Sequence, residues 1–292
     1  VALPFVRTAK DVLDLRFLIK QYEKELGLPG TPPVLIVSKI EMREAIDNLD
    51  EIIDVTDGIM VARGDLGLEL PAEEVPLWQK KMIQKCLAVA KPVIVATQML
   101  DSMTHNVRPT RAEVSDVANA VIDHTDAIML SAETASGEFP VETVTTMAKI
   151  AVKTEASTFD DLEVKPSGKK NEPLEDAVSE LARLAADKLG AKAILAASIS
   201  GASGRHISSF RPELPIYVPT DTERVCHQLN LSWGVKPFIL PACRTIEELA
   251  ERSMSYLKKN KELKKGDRVI LVAGEPVGQA GNVNLIEVKE VK

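Results

Sequence analysis

Lys39 and Glu41 stand two positions apart where a short apolar run ends. On an extended backbone such residues face the same side, so an ammonium and a carboxylate share one face. Three further polar groups close similar runs: Ala62-Arg63-Gly64-Asp65, Ala96-Thr97-Gln98-Met99 and Ser131-Ala132-Glu133-Thr134. Glu41 and Asp65, on adjacent strands with the Lys39 cation beside them, suit a magnesium ion next to an anionic substrate. A carboxylate after a strand also serves as a helix cap or a solvated loop residue, and Gly64 and Gly67 can simply relax a tight turn. Four polar groups at four successive strand ends are harder to reduce to capping, and they point to an active site built on those ends.

The positioning elements follow from the pattern. Residues 1–6, 34–38, 58–62, 92–96 and 127–130 read as strands buried on both faces. They recur roughly every 30 residues, the share of one unit in an eight-stranded α/β barrel, whose catalytic groups gather at the C-terminal strand ends. Thr110-Arg111-Ala112-Glu113 is a capping box, and Pro71 is placed to open a helix running on through 72–90. The expected fold is therefore α/β. Residues 1–158 form a partial (β/α)8 barrel without its N-terminal strands. Residues 159–173 form a polar linker. Residues 174–292 form a separate α/β domain with a mostly parallel sheet. In that domain a helix over 175–189 is closed by Gly190, and strands are expected at 193–197, 215–218, 237–240, 268–272 and 285–288, with a helix over 246–258.

Composition narrows the classes. The chain has 292 residues, 45% of them apolar and 27% charged, with a net charge of −7. That balance is globular and argues against a nucleic-acid partner. No apolar run reaches the length of a membrane span. Cys86, Cys226 and Cys243 show neither zinc spacing nor a disulfide framework, which fits the cytoplasm. The four histidines share no ligand spacing. In the second half, Ser198, Ser200, Gly201, Ser203 and Arg205 follow a strand and open a helix. Such a segment either cradles a phosphate or is an ordinary strand-to-helix turn.

Long collinear blocks carry a resemblance. They are Ser38-Lys39-Ile40-Glu41, the run from Asp57 to Gly67, Ala96-Thr97-Gln98-Met99-Leu100, the run from Arg108 to Val121, and Ile128 to Thr134. With these the chain resembles the pyruvate kinase family over essentially its whole length, as barrel strands four to eight followed by the C-terminal regulatory domain. The resemblance implies phosphoryl transfer from phosphoenolpyruvate to ADP, giving pyruvate and ATP, the final step of glycolysis. It implies that Glu41 and Asp65 hold Mg2+ (or Mn2+) and that Lys39 stabilises the transferring phosphoryl group. The backbone N–H groups of Gly64 and Asp65, opening a short helix, would bind the substrate carboxylate. Thr97 would help a water protonate the enolate, Arg63 would orient this loop, and Ser131 and Glu133 would support the proton relay. Ser198, Ser200, Gly201, Ser203 and Arg205 would take a phosphorylated allosteric effector, with Gly274 to Gly281 as a loop beside it.

The resemblance also implies a homotetramer. The family's K+ ligands are expected outside this chain, which puts K+ dependence in question. The expectation is that the chain alone is impaired, and that a second polypeptide could carry the absent strands. Two other readings stay open at this level: a metal-dependent aldolase or lyase acting on pyruvate enolates, and a non-catalytic fragment for effector binding or assembly.

Overall fold

The structure is a computed structural model that describes residues 1–28, 32–162, 173–198, 200–274 and 283–292. It divides into two compact units, Val1–Asp161 and Leu162–Lys292.

The first unit is a parallel five-stranded sheet in sequential order: β1 (Ala2–Leu3), β2 (Val37–Ile40), β3 (Gly58–Ala62), β4 (Val93–Ala96) and β5 (Ala127–Met129). The register aligns the C-terminal ends, with Ile40 beside Val61, Ala62 beside Ala96 and Ala96 beside Met129. Alternation then sorts the side chains. Ile36, Ile40, Ile59, Val61, Val93 and Val95 pack with the helices in one large core. Met60, Ile94 and Ala96 form a smaller cluster on the opposite face, with Val37, Ala127 and Met129 partly exposed against it. Lys39 and Glu41 alternate in step with Val37 and so belong to this second, more open face.

Several boundaries move from the expected ones. The first strand is two residues long instead of six; Pro4 has no N–H to donate, and Phe5 adopts a left-handed φ of 54° that breaks the extended run. No helix runs through 72–90. A short helix, Arg63–Glu69, follows β3 directly, and the next is Val75–Ala88 with a proline in its first turn at position 76, so Pro71 opens neither. Gly64 and Gly67 thus lie inside a helix and not in a turn. The Thr110 capping box is formed: Thr110 Oγ1 accepts from Glu113 N–H at 3.2 Å, and Thr110 N–H donates to Glu113 Oε2 at 2.7 Å.

The second unit is a five-stranded sheet of β6 (Ala193–Ala196), β7 (Ile216–Thr220), β8 (Val235–Ile239), β9 (Arg268–Ala273) and β10 (Leu285–Glu290), ordered β10-β9-β6-β7-β8. Only β10 is antiparallel to its neighbour. Ile194, Ile216, Val218, Ile270 and Val272 face helices Leu174–Leu189, Ala202–Ser209 and Glu223–Leu229. Leu195, Tyr217, Val269 and Leu271 face helix Ile246–Lys259. Helices on both faces are what a mostly parallel sheet requires. Gly190 closes its helix in the left-handed conformation at φ 57°. Most of the 159–173 segment, and residues 275–281 of the expected effector loop, lie outside the described residues.

Candidate active site

The C-terminal ends of β2, β3 and β4 bring Lys39, Glu41, Arg63, Gly64 and Thr97 to one end of the sheet. Glu41 is fully buried. Its Oε2 accepts the Phe5 N–H at 2.7 Å, so the left-handed Phe5 turns its amide onto the carboxylate. Among the described residues its Oε1 accepts no hydrogen bond of good geometry and meets only the Lys39 ammonium, 2.5 Å away. A buried anionic oxygen held by a single lateral cation is an environment that accepts a metal ion.

Asp65 is exposed, in the first turn of helix Arg63–Glu69. Among the described residues no three His, Cys, Asp or Glu side chains gather as a metal cluster. Magnesium keeps waters and takes few protein ligands beside a phosphate, so the donor chemistry of a buried Glu41 carboxylate and an exposed Asp65 carboxylate suits it. Zinc-type ligation would need more donors than these.

Arg63 organises the next strand end. Its side chain is 12% exposed and pairs with Asp116 at 2.7 Å. Its Nη2 donates to the Thr97 carbonyl at 2.8 Å and lies 2.8 Å from Met99 Sδ. Thr97 and Gln98 both hold left-handed φ, at 70° and 53°. For a β-branched residue this is a strained conformation, costing about 1–3 kcal/mol per residue. Three contacts oppose the strain at Thr97. They are the Arg63 bond, the Gly64 N–H donating to Thr97 Oγ1 at 2.8 Å, and the Thr97 hydroxyl donating to the Ala96 carbonyl at 2.6 Å. The Gly64 N–H expected to meet a carboxylate is therefore engaged by Thr97. A Cβ added to Gly64 would sit 3.5 Å from Thr97 Oγ1, in ordinary contact, so that glycine is not demanded by crowding in this state.

Glu133 is buried, and both its oxygens are taken by backbone: Leu100 N–H at 3.2 Å and Ser131 N–H at 2.7 Å. It ties the loop after β4 to the loop after β5. Ser131 is half-buried beside it. Glu113 similarly holds the 101–110 loop, accepting from Ser102 N–H at 2.7 Å and Ser102 Oγ at 2.6 Å as well as from Thr110. Burial pushes its carboxyl up, but the hydrogen bonds from Ser102 and Thr110 outweigh that and hold it below the usual glutamate range.

In the second unit, Gly201 is left-handed at φ 78°, and a Cβ there would come within 2.8 Å of Leu229 Cδ2. Ser200 Oγ accepts the Ala202 N–H at 3.4 Å, and Arg205 Nη2 donates to the Ser200 carbonyl at 3.3 Å. Ser198 is half-buried, whereas Ser203 is buried in the first turn of its helix. The expected effector segment is thus a tightly packed turn, with Ser203 turned away from solvent.

Sequence reasoning missed Asp116, Gln79 and the Phe5 amide. Asp116 and Gln79 act from helices distant in sequence, and a backbone N–H leaves no residue-type signal. Aligned strand ends bring together a buried carboxylate, a lysine and a strained threonine, groups with the chemistry to take an anionic substrate.

Residues 1–144 match the model of the pyruvate kinase barrel domain, and residues 176–289 match that of the pyruvate kinase alpha/beta domain. A pyruvate kinase from Clostridium acetobutylicum is 45% identical over 293 residues, covering 100% of this chain and 60% of that protein. One from Sporosarcina psychrophila is 45% identical over 289 residues, covering 99% of this chain and 48% of that protein. The crystal structure of a pyruvate kinase from Cryptosporidium parvum superposes with a TM-score of 0.89 at 35% identity, covering 99% of this chain and 57% of that one. The chain belongs to the pyruvate kinase family. It spans about half the length of the curated relatives it matches.

Proposed function

We propose that the chain carries part of a pyruvate kinase acting in glycolysis, transferring a phosphoryl group from phosphoenolpyruvate to ADP with Mg2+ or Mn2+. The observation that carries this reading is Glu41 Oε1, buried and, among the described residues, countered only by Lys39. Glu41 and Asp65 would hold the divalent ion, which when bound supplies Lewis-acid polarisation and charge neutralisation. Lys39, with its side chain 27% exposed, offsets charge on the phosphoryl group as it leaves the enolate. Thr97 offers a neutral hydroxyl that orients a water for protonation of the enolate carbon. On substrate binding that hydroxyl releases the Gly64 N–H, which with the Asp65 N–H then faces the substrate carboxylate. Arg63 and Glu133 hold the loops in place, and Ser131 sits on the proton-delivery side.

The domain assignment we propose is a barrel portion over 1–158, a linker over 159–173 and a regulatory α/β domain over 174–292. Binding of a phosphorylated effector at Ser198, Ser200, Gly201, Ser203 and Arg205, a homotetramer, cytoplasmic location and K+ dependence completed by residues elsewhere come from the family likeness. The five-stranded sheet does not close on itself, and the relatives carry about as much chain again. We therefore propose that turnover by these 292 residues alone is impaired. The test is Mn2+-dependent binding of phosphoenolpyruvate, followed by calorimetry, with 31P NMR for ATP formation. Metal-dependent binding lost in Glu41→Gln supports the reading. Absence of both binding and turnover overturns it.

A further inference from the structure

Arg63 is not held by Asp116 alone. Gln79, buried on helix Val75–Ala88, places its Oε1 3.5 Å from Arg63 Nη1. Its Nε2 donates to Asp123 Oδ2 at 3.3 Å. Asp123 caps the C-terminus of helix Arg111–Ile122, the helix that carries Asp116, and its other oxygen pairs with Lys80. The carboxamide thus links two ion pairs, Asp116–Arg63 and Asp123–Lys80. A buried donor–acceptor group is spent here on connecting charges, although a hydrophobe would fill the same place without needing partners.

We propose that Gln79 is a positioning residue for Arg63 and, through it, for Thr97; the catalytic meaning of this rests on the functional reading above. Acceptors from two helices fix the plane of the guanidinium. Without Gln79, Nη1 keeps Asp116 at 2.7 Å and Nη2 keeps the Thr97 carbonyl, but the guanidinium loses its contact with helix Val75–Ala88 and can tilt about the line joining those two bonds. The second arm of the guanidinium holds the Thr97 carbonyl, and Thr97 Oγ1 takes the Gly64 N–H. A tilt of Arg63 therefore loosens the left-handed Thr97 and frees the Gly64 amide. Glutamine suits the position because it accepts at one end and donates at the other. Glutamate at 79 would present a carboxylate to Asp123.

This hydrogen-bond polarity supplies the test. The Gly64 amide exchange rate, read by NMR on the full chain, reports Thr97 directly. In Gln79→Glu, repulsion from Asp123 displaces the side chain, and Gly64 exchange rises by about tenfold or more. Adding Asp123→Asn reverses the polarity of the link, since the asparagine amide donates to the new carboxylate, and exchange returns to within about threefold of wild type. Gln79→Met, which adds no charge, also speeds Gly64 exchange while the amides of β6 and β9 keep their rates. Where turnover is measurable, the Gln79 variants lose kcat by about 10- to 100-fold with KM nearly kept.

Unchanged Gly64 exchange in Gln79→Glu and Gln79→Met overturns the inference. So does a double variant that stays as fast as Gln79→Glu. Loss of metal-dependent phosphoenolpyruvate binding in the wild-type chain would overturn the functional proposal instead, and the Gly64 measurement would still decide the positioning role.

Discussion

Replacing Lys39 by methionine should make the stability of the first unit depend on divalent metal. Among the described residues Lys39 is the only cation on Glu41 Oε1, and Glu41 is fully buried while Lys39 is 27% exposed. Removing one partner of a buried pair costs about 3–5 kcal/mol. Glu41 keeps the Phe5 N–H, so the lower end, about 3 kcal/mol, is the expected loss. At 2–4 °C per kcal/mol, the metal-free variant should melt about 6–12 °C below wild type. A metal ion that binds only the folded state at a hundred times its Kd returns about 2.7 kcal/mol, nearly the whole deficit. Wild-type protein should gain less, because its lysine already neutralises the same oxygen. The assay is a fluorescence melt of Trp78, which lies in the first unit, in a Trp233→Phe background, with EDTA or with Mg2+. The reasoning fails if Lys39→Met melts within about 2 °C of wild type in EDTA. It fails equally if Lys39→Met/Glu41→Gln keeps the full metal gain.

Two further outcomes follow from burial and hydrogen bonding. Cys86 is buried on helix Val75–Ala88, and burial pushes its thiol up to about 12. It should remain unmodified by a thiol reagent at pH 8 while Cys226 and Cys243, both half-buried, react first; fast labelling of all three in native protein would contradict this. Glu113 has a lowered carboxyl in the folded state, so its stabilisation is present above the unfolded value of about 4.3 and is lost as pH falls through the folded value. Protection against hydrogen exchange in the 101–110 loop, corrected for the intrinsic pH dependence of amide exchange, should therefore fall in wild type as pH drops through the folded value, whereas Glu113→Gln should be poorly protected and show no such step.

Much of the frame was legible in residue order. Apolar runs marked the place of every strand, but the first is shorter than expected and the second lies at Val37–Ile40 instead of 34–38. Thr110 with Glu113, and Gly190, marked helix ends because capping is a local matter of a few bonds. The common face of Lys39 and Glu41 follows from strand alternation alone. Helix Arg63–Glu69 was legible only through the family likeness, in which Gly64 and Asp65 open a short helix; by residue type alone Arg63-Gly64-Asp65 reads equally well as a turn. The partners of Glu133, expected in support of the proton relay, were not legible, because its carboxylate accepts from two backbone amides that leave no residue-type signal.

What residue order alone determined was the periodicity, the caps and the identity of the groups at the strand ends. These depend on interactions spanning a few residues, so chain order contains them. Only the tertiary structure decided the state of each group. The buried Glu41 carboxylate has its Oε2 on the Phe5 amide, 36 residues away in sequence, while its Oε1 faces Lys39. The strain at Thr97 depends on Arg63, 34 residues away, and Arg63 in turn depends on Asp116, 53 residues away. Desolvation and long-range hydrogen bonds set the charge balance and geometry of the site, and they exist only once the helices have packed against the sheet.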